Sequence, residues 1–432
     1  MKITVHRGTK EIGGTCIELT TGSARLILDL GLPLVTATRD QFDATAALRK
    51  STAELIADGT IPRVSGLFDE KSPPPDAILL SHAHLDHMGL IHFSRPQVPV
   101  YTTSGTSKMM LAGAIFAGRK GLDRMRHRTI KTGKTFTIGD TTITAYAVDH
   151  STFGCVAFLI EAEGKRLLYT GDLRNHGRKP GMMKTLLKTL KSKQLDVLIV
   201  EGTHLGGEAE TGIGEHDLEE QTVELTRTAP ELVLATFSPQ DLDRLVTLYR
   251  TAVRSGRTFV VDAYAAFILH LLHKEVKIPP PKTKHGIRVF FNAGFRRKKN
   301  QKLGSLFAAD RIELAEVLAE PRKHLMAFRP SMVKLDFAGQ LPQYVRVLYG
   351  YWKGYLKNPD WVELQKSVME VGGDFIFAHA SGHIHVRDLI EFVHAVNAKV
   401  VIPVHTFEPR LLAKQFENVR LLEDGQPWEV SE

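Results

Sequence analysis

The chain opens as a series of short apolar runs closed by Gly, Asp or Thr, at residues 2–6, 15–19, 25–29, 135–138, 142–148, 156–161 and 166–169. Runs of this length, punctuated by turn residues, predict strands, and their density predicts a sheet-rich layer. Residues 104–118 and 182–190 read as helices instead, which sets helices on the outer faces of the sheets in an αββα layering. From about residue 206 the texture changes. A Gly- and Glu-rich link leads into a helix at 217–227, a strand at 232–236, a helix at 242–254 and a strand at 258–263. Strand, helix, strand is the pattern of a parallel sheet. Ile278-Pro279-Pro280-Pro281-Lys282 reads as a loop ahead of a further strand at 286–291. Apolar runs at 374–378 and 400–404 then end in histidines, as the early runs end in acids. The organisation expected is a split domain, residues 1–205 and 376–432, interrupted by an insert at 206–375.

At 432 residues the chain exceeds one ordinary core. It has no uncharged apolar run of about 18 residues and no signal-like segment at Met1, so no membrane association is expected and a cytoplasmic protein is the default. Cys16 and Cys155 read as small buried hydrophobes, not as a disulfide framework. Lysine and arginine outnumber the acids 56 to 48, a net charge of +8, which points to a polyanionic partner. The excess gathers in Arg296-Arg297-Lys298-Lys299 with Lys302, and in a second cluster of Arg119, Lys120, Arg124, Arg126, Arg128, Lys131 and Lys134. Charge runs are usually solvated faces, so these gain meaning only beside a hydrolytic site.

Such a site is written in Ser81-His82-Ala83-His84-Leu85-Asp86-His87, directly after the apolar run 77–80. Imidazoles and a carboxylate are the ligands a borderline divalent cation prefers, and this set is too large for one tetrahedral ion. Two metals side by side are expected. Four later segments share the design of a strand ending in a ligand or proton-transfer group: Asp149-His150, Gly171-Asp172, Glu201-Gly202-Thr203 and Val404-His405. Two cations a few ångströms apart can share a hydroxide nucleophile and clamp a phosphoryl oxygen.

This ordered set resembles the metallo-β-lactamase superfamily. The resemblance implies that His82, His84 and His150 hold one metal, that Asp86, His87 and His405 hold the other, and that Asp172 bridges them. Asp29, in Leu28-Asp29-Leu30-Gly31, matches the family's first motif and would orient the ligand loop. Zinc is the metal expected first, with manganese an alternative that His/Asp sites also accept.

The insert, together with Ala378-His379-Ala380-Ser381-Gly382-His383 and the following Pro403-Val404-His405, resembles the β-CASP subgroup, most closely the ribonuclease J type. The fold implied is α/β: a metallo-β-lactamase αββα sandwich with an inserted β-CASP domain having a parallel sheet. The activity implied is phosphodiester hydrolysis of single-stranded RNA, exo- or endonucleolytic, with Asp86, Glu201 and His383 as catalytic residues. His383 would protonate or hydrogen-bond the leaving oxygen. His379 and Ser381, with Arg296, Arg297, Lys298 and Lys299, are candidate nucleic-acid contacts. Aromatic residues within 349–355 are candidates for base stacking, with core packing the competing reading. The chain departs from the ribonuclease J pattern at Phe328-Arg329-Pro330-Ser331-Met332 and ends at Glu432, soon after the last motif. A DNA-processing β-CASP nuclease, a non-catalytic RNA-binding subunit and a small-ester metallo-hydrolase are the alternatives, and homo-oligomerisation is left open.

Overall fold

The computed structural model describes residues 1–36, 38–207, 212–297 and 301–430. Contacts divide the chain into two units, Met1–Gly212 with Gly382–Glu432, and Ile213–Ser381.

In the first unit, the described residues form two mixed sheets, of seven and six strands. The first runs Pro427–Glu429, Lys2–Arg7, Cys16–Thr20, Arg25–Leu28, Ala77–Leu79, Val100–Thr103 and His127–Ile130. The second runs Val400–Val404, Val197–Glu201, Lys165–Tyr169, Val156–Ala162, Thr141–Ala147 and Thr135–Ile138. Side chains alternate across a strand, and both faces of the second sheet are buried. Leu167, Tyr169, Val197 and Ile199 therefore enter one core with Ile3, Val5, Leu26 and Leu79 of the first sheet. Their neighbours Leu168, Leu198 and Val200 point the other way, against Leu186 and Leu190 of the helix Gly181–Leu190 and Leu389 and Phe392 of Val386–Val396. Two sheets sharing a core with helices outside is the αββα sandwich of the metallo-β-lactamase fold.

The second unit holds, among its described residues, a seven-stranded sheet in which every pairing is parallel. Its order is Arg311–Ile312, Ile287–Phe290, Thr258–Asp262, His324–Ala327, Val233–Thr236, Arg346–Tyr349 and Asp374–Phe377. The central strands read as continuous apolar runs because helices cover both faces. Arg244, fully buried on Leu242–Arg254, donates to the carbonyls of Gly350 (3.1 Å), Ala378 (3.4 Å) and Ala380 (3.2 Å). Its charge is met by buried Glu215 at 3.2 Å, which also accepts from Thr247 Oγ1 at 2.6 Å. One guanidinium thus fixes the chain where it leaves the last two strands. Among the described residues no helix is long and apolar enough to cross a membrane.

Candidate metal centre

The centre is assembled entirely within the first unit, from loops at the carboxyl ends of its strands. Ala77–Leu79 delivers Ser81 and His82, and the single turn Leu85–Met88 carries Asp86 and His87. That turn is gripped by the loop after Arg25–Leu28. Leu30 N donates to His87 O (2.7 Å) and Leu32 N to Leu85 O (2.9 Å), while Thr15 N donates to Asp86 O (3.1 Å). The approach is close enough that a Cβ on Gly31 would stand 1.6 Å from Asp86 O, so no larger residue fits there. Lys165–Tyr169 leads to Asp172, Val197–Glu201 ends in Glu201, and His405 follows Val400–Val404 with φ at 54°.

The inward-facing atoms form two overlapping groups, His82, His84, His150 with Asp172, and Asp86, His87, His405 with Asp172, each within 4.8 Å. His84 Nδ1 lies 3.2 Å from His82 Nε2 and 3.0 Å from His150 Nε2. Asp172 Oδ2 is 3.1 Å from His87 Nε2, 3.6 Å from His82 Nε2 and 3.7 Å from His150 Nε2. His405 Nε2 meets Asp86 Oδ2 at 3.1 Å.

Donor atoms of a tetrahedral zinc site with bonds of about 2.0–2.1 Å stand roughly 3.3 Å apart, the spacing seen among these rings. Both Asp172 oxygens and His87 Nε2 are buried, and no hydrogen bond reaches them among the described residues. Buried polar atoms left this way are costly unless something else satisfies them, and a cation does so here. Burial holds His82, His84 and His150 in the unprotonated, metal-binding form, with His84 at about 4. Burial raises the pKa of Asp86 and Asp172, but the neighbouring imidazoles outweigh it and keep both as carboxylates. His87 is driven the other way, toward protonation, as the carboxylates of Asp172, Asp86 and Asp29 overcome its burial. The residues fit a pair of divalent ions.

An outer ring orients these ligands, and most of it was not assigned a role from the sequence. Asp29, itself at φ 58°, accepts from His87 Nδ1 (2.7 Å), Ser81 N (2.7 Å), Ser81 Oγ (2.6 Å) and Tyr169 Oη (2.5 Å). His150 Nδ1 donates to Gly382 O at 2.5 Å. Thr203 Oγ1 donates to Glu201 Oε2 (2.6 Å) and lies 2.9 Å from His405 Nδ1. Glu201 Oε1 accepts from Leu173 N, and its other oxygen lies 3.0 Å from His383 Nδ1. Ser81, Tyr169 and Thr203 each sit inside a motif that names a ligand. Their hydroxyls beside strand-end acids were the available signal.

Residues 60–236 match the model of a beta-lactamase superfamily domain. The chain carries a metallo-β-lactamase domain. It is 26% identical over 281 residues to an "RNase J-like protein" of Methanocaldococcus jannaschii, an alignment covering 60% of this chain and 56% of that one. It is 22% identical over 293 residues to "Transcription termination factor FttA" of Methanothermobacter thermautotrophicus, covering 62% and 42% respectively. The chain thus spans about half the length of the curated relatives it matches. A solved structure of a protein of unknown function from Enterococcus faecalis aligns with TM-score 0.78 and 22% identity over 99% of both chains, which establishes the shared fold.

The remaining candidates lie in the second unit, beyond carboxyl ends of its parallel strands. That is the edge at which open α/β sheets bind ligands. His379 and Ser381 follow Asp374–Phe377, and His379 Nδ1 is 3.1 Å from Gly350 O. Arg296 follows Ile287–Phe290, five strand spacings or about 24 Å across the sheet. It donates to Phe291 O (2.6 Å) and pairs with Asp336 (3.1 Å), so part of its donor capacity serves the fold. Arg297 is exposed, and Lys298 and Lys299 lie outside the described residues. Among the aromatics, Tyr349 is buried in the core whereas Trp352 is 62% exposed.

Proposed function

We propose that the protein is a metal-dependent ribonuclease of the β-CASP kind, hydrolysing phosphodiesters of single-stranded RNA at the centre formed by His82, His84, Asp86, His87, His150, Asp172 and His405. The observation that carries this reading is the pair of four-residue groups sharing Asp172, with His383 and Glu201 beside them. Relatives named as ribonucleases and a basic chain support RNA as the substrate. The second unit is read as the β-CASP insert, supplying His379, Ser381, Arg296, Arg297, Lys298 and Lys299 to the phosphate backbone.

Two divalent ions bound there, zinc first and manganese second, would supply Lewis acidity and a water acidic enough to attack at neutral pH. The chain's own residues do the rest. Asp29, Gly382 O and Thr203 hold His87, His150 and His405 in fixed orientations. Glu201 orients His383 through Nδ1, leaving the Nε2 proton for the leaving oxygen. Burial works against protonation of His383, but Glu201 and Asp172 prevail and bring its pKa to about 9. It is therefore charged at neutral pH and able to give a proton.

End-labelled RNA and DNA of one sequence, incubated with zinc- or manganese-loaded protein and with Asp86→Ala/His87→Ala, test the reading. RNA cleavage lost in the variant supports it, and the product ladder reports polarity. Preferential DNA cleavage would move it to a DNA nuclease, and hydrolysis of a chromogenic ester alone would move it to a small-ester hydrolase.

A further inference from the structure

A cavity of about 300 Å³ opens in the first unit between the turn Leu85–Met88 and the loop that follows the helix Ser104–Phe116. That volume sits at the lower end of ligand pockets, roughly 300–1,000 Å³. None of the metal-centre residues lines it. Its inner wall is apolar, from Leu85, Met88, Ile91, Met110 and Leu122. Arg119, Lys120 and His92 add polar groups, and Asp123 is its one acid.

The polar side is built to different ends. Arg126, 6% exposed, donates to Val98 O, Ile91 O and Ser94 Oγ at 2.8–3.0 Å and so braces the wall. His92 differs: its Nε2 is buried, and no hydrogen bond reaches it among the described residues. Burial, then the charge of Lys120, lowers its pKa to about 4, so the ring is neutral and offers a single N–H. A guanidinium, an ammonium and an imidazole N–H suit the three oxygens of a phosphomonoester better than the two of a carboxylate. The apolar wall suits a flat organic body, and water there would find few partners.

We propose that this cavity is a binding site for a small organic phosphate with an apolar or aromatic body, of the size and kind of a nucleoside monophosphate. It accounts for Arg119 and Lys120 of the second basic cluster. The inference does not rest on the nuclease reading, because none of its residues belongs to the metal centre.

The test is calorimetric titration of adenosine 5′-monophosphate into metal-loaded wild type, Lys120→Glu and His92→Phe, with inorganic phosphate and hexanoate as comparison ligands. Lys120 is exposed, so Lys120→Glu keeps the fold, verified by an unchanged melting curve, even if His92→Phe does not. Phosphate bound at the metals would be common to all three proteins. A one-site component weakened at least tenfold in Lys120→Glu, and at least tenfold weaker for hexanoate and inorganic phosphate, is expected. No such component, equal affinity in Lys120→Glu, or hexanoate binding as tightly as the nucleotide would each overturn the proposal.

Discussion

His383 Nδ1 lies 3.0 Å from Glu201 Oε2, and the same carboxylate takes the proton of Thr203, whose oxygen lies 2.9 Å from His405 Nδ1. A group proposed to move a proton and a group proposed to hold a metal are thereby oriented through one hydroxyl and one acid.

That coupling separates chemistry from metal binding. His383→Ala should lower RNA turnover by roughly 10²–10⁴-fold, the usual worth of a positioned acid, with metal content unchanged. Glu201→Gln should lower turnover and shift the alkaline limb of the pH profile down, because the carboxylate that raises the His383 pKa is gone. Turnover and metal content measured on the same preparations check this. Loss of metal from His383→Ala would instead make it a ligand.

Asp29 touches no proposed metal, yet four donors converge on it from His87, Ser81 and Tyr169. Asp29→Asn should cost about 10–100-fold in metal affinity, as outer partners of ligand histidines do. Competition with a chromogenic chelator gives the number. Unchanged affinity would reduce Asp29 to a structural loop residue.

In the second unit, Arg244→Ala would leave Glu215 buried and charged, together with three carbonyls that have lost their donor. Breaking a buried pair from one side costs roughly 3–5 kcal/mol. Limited proteolysis should therefore cut within Ile213–Ser381 at lower urea in the variant. An unaltered urea dependence would mean that the guanidinium is replaceable there.

Glu18 gives the pH-dependent case. Burial raises its pKa, but hydrogen bonds from His6 and Arg25 overcome this and lower it from 4.5 to about 2. A depressed carboxylate stabilises the fold above its unfolded pKa, and that contribution is lost as pH falls toward the folded value. Glu18→Gln should lower stability by about 1 kcal/mol at pH 7, allowing for partial exposure. The gap should narrow between pH 4.5 and 2. Urea midpoints of both proteins across that range check it, and a constant gap would contradict it.

Much of the site was legible because ligand chemistry is local in sequence: His82, His84, Asp86 and His87 share one loop, and His150, Asp172 and His405 each follow an apolar run. The sandwich was legible for a related reason, since short apolar runs closed by turn residues mark strands of this length. Tertiary placement was not. Thr203 and Tyr169 are ordinary in sequence, and only the packing of separate strands turns their hydroxyls onto Glu201 and Asp29. The run at 374–378 also ends in histidines, which suggested a return to the first domain, yet Asp374–Phe377 pairs with Arg346–Tyr349 in the parallel sheet. A strand's apolar pattern does not say which sheet it joins. Arg126, read as part of a basic surface, is buried because three acceptors surround it.

The most direct test is to titrate zinc or manganese into chelated protein while following both ion occupancy and the initial rate of single-stranded RNA cleavage. The rate should climb with occupancy and level off at two ions per chain, and Asp172→Asn should abolish both. Full RNA cleavage at zero occupancy, or two bound ions with no RNA cleavage, would contradict the assignment of this centre as the ribonuclease site.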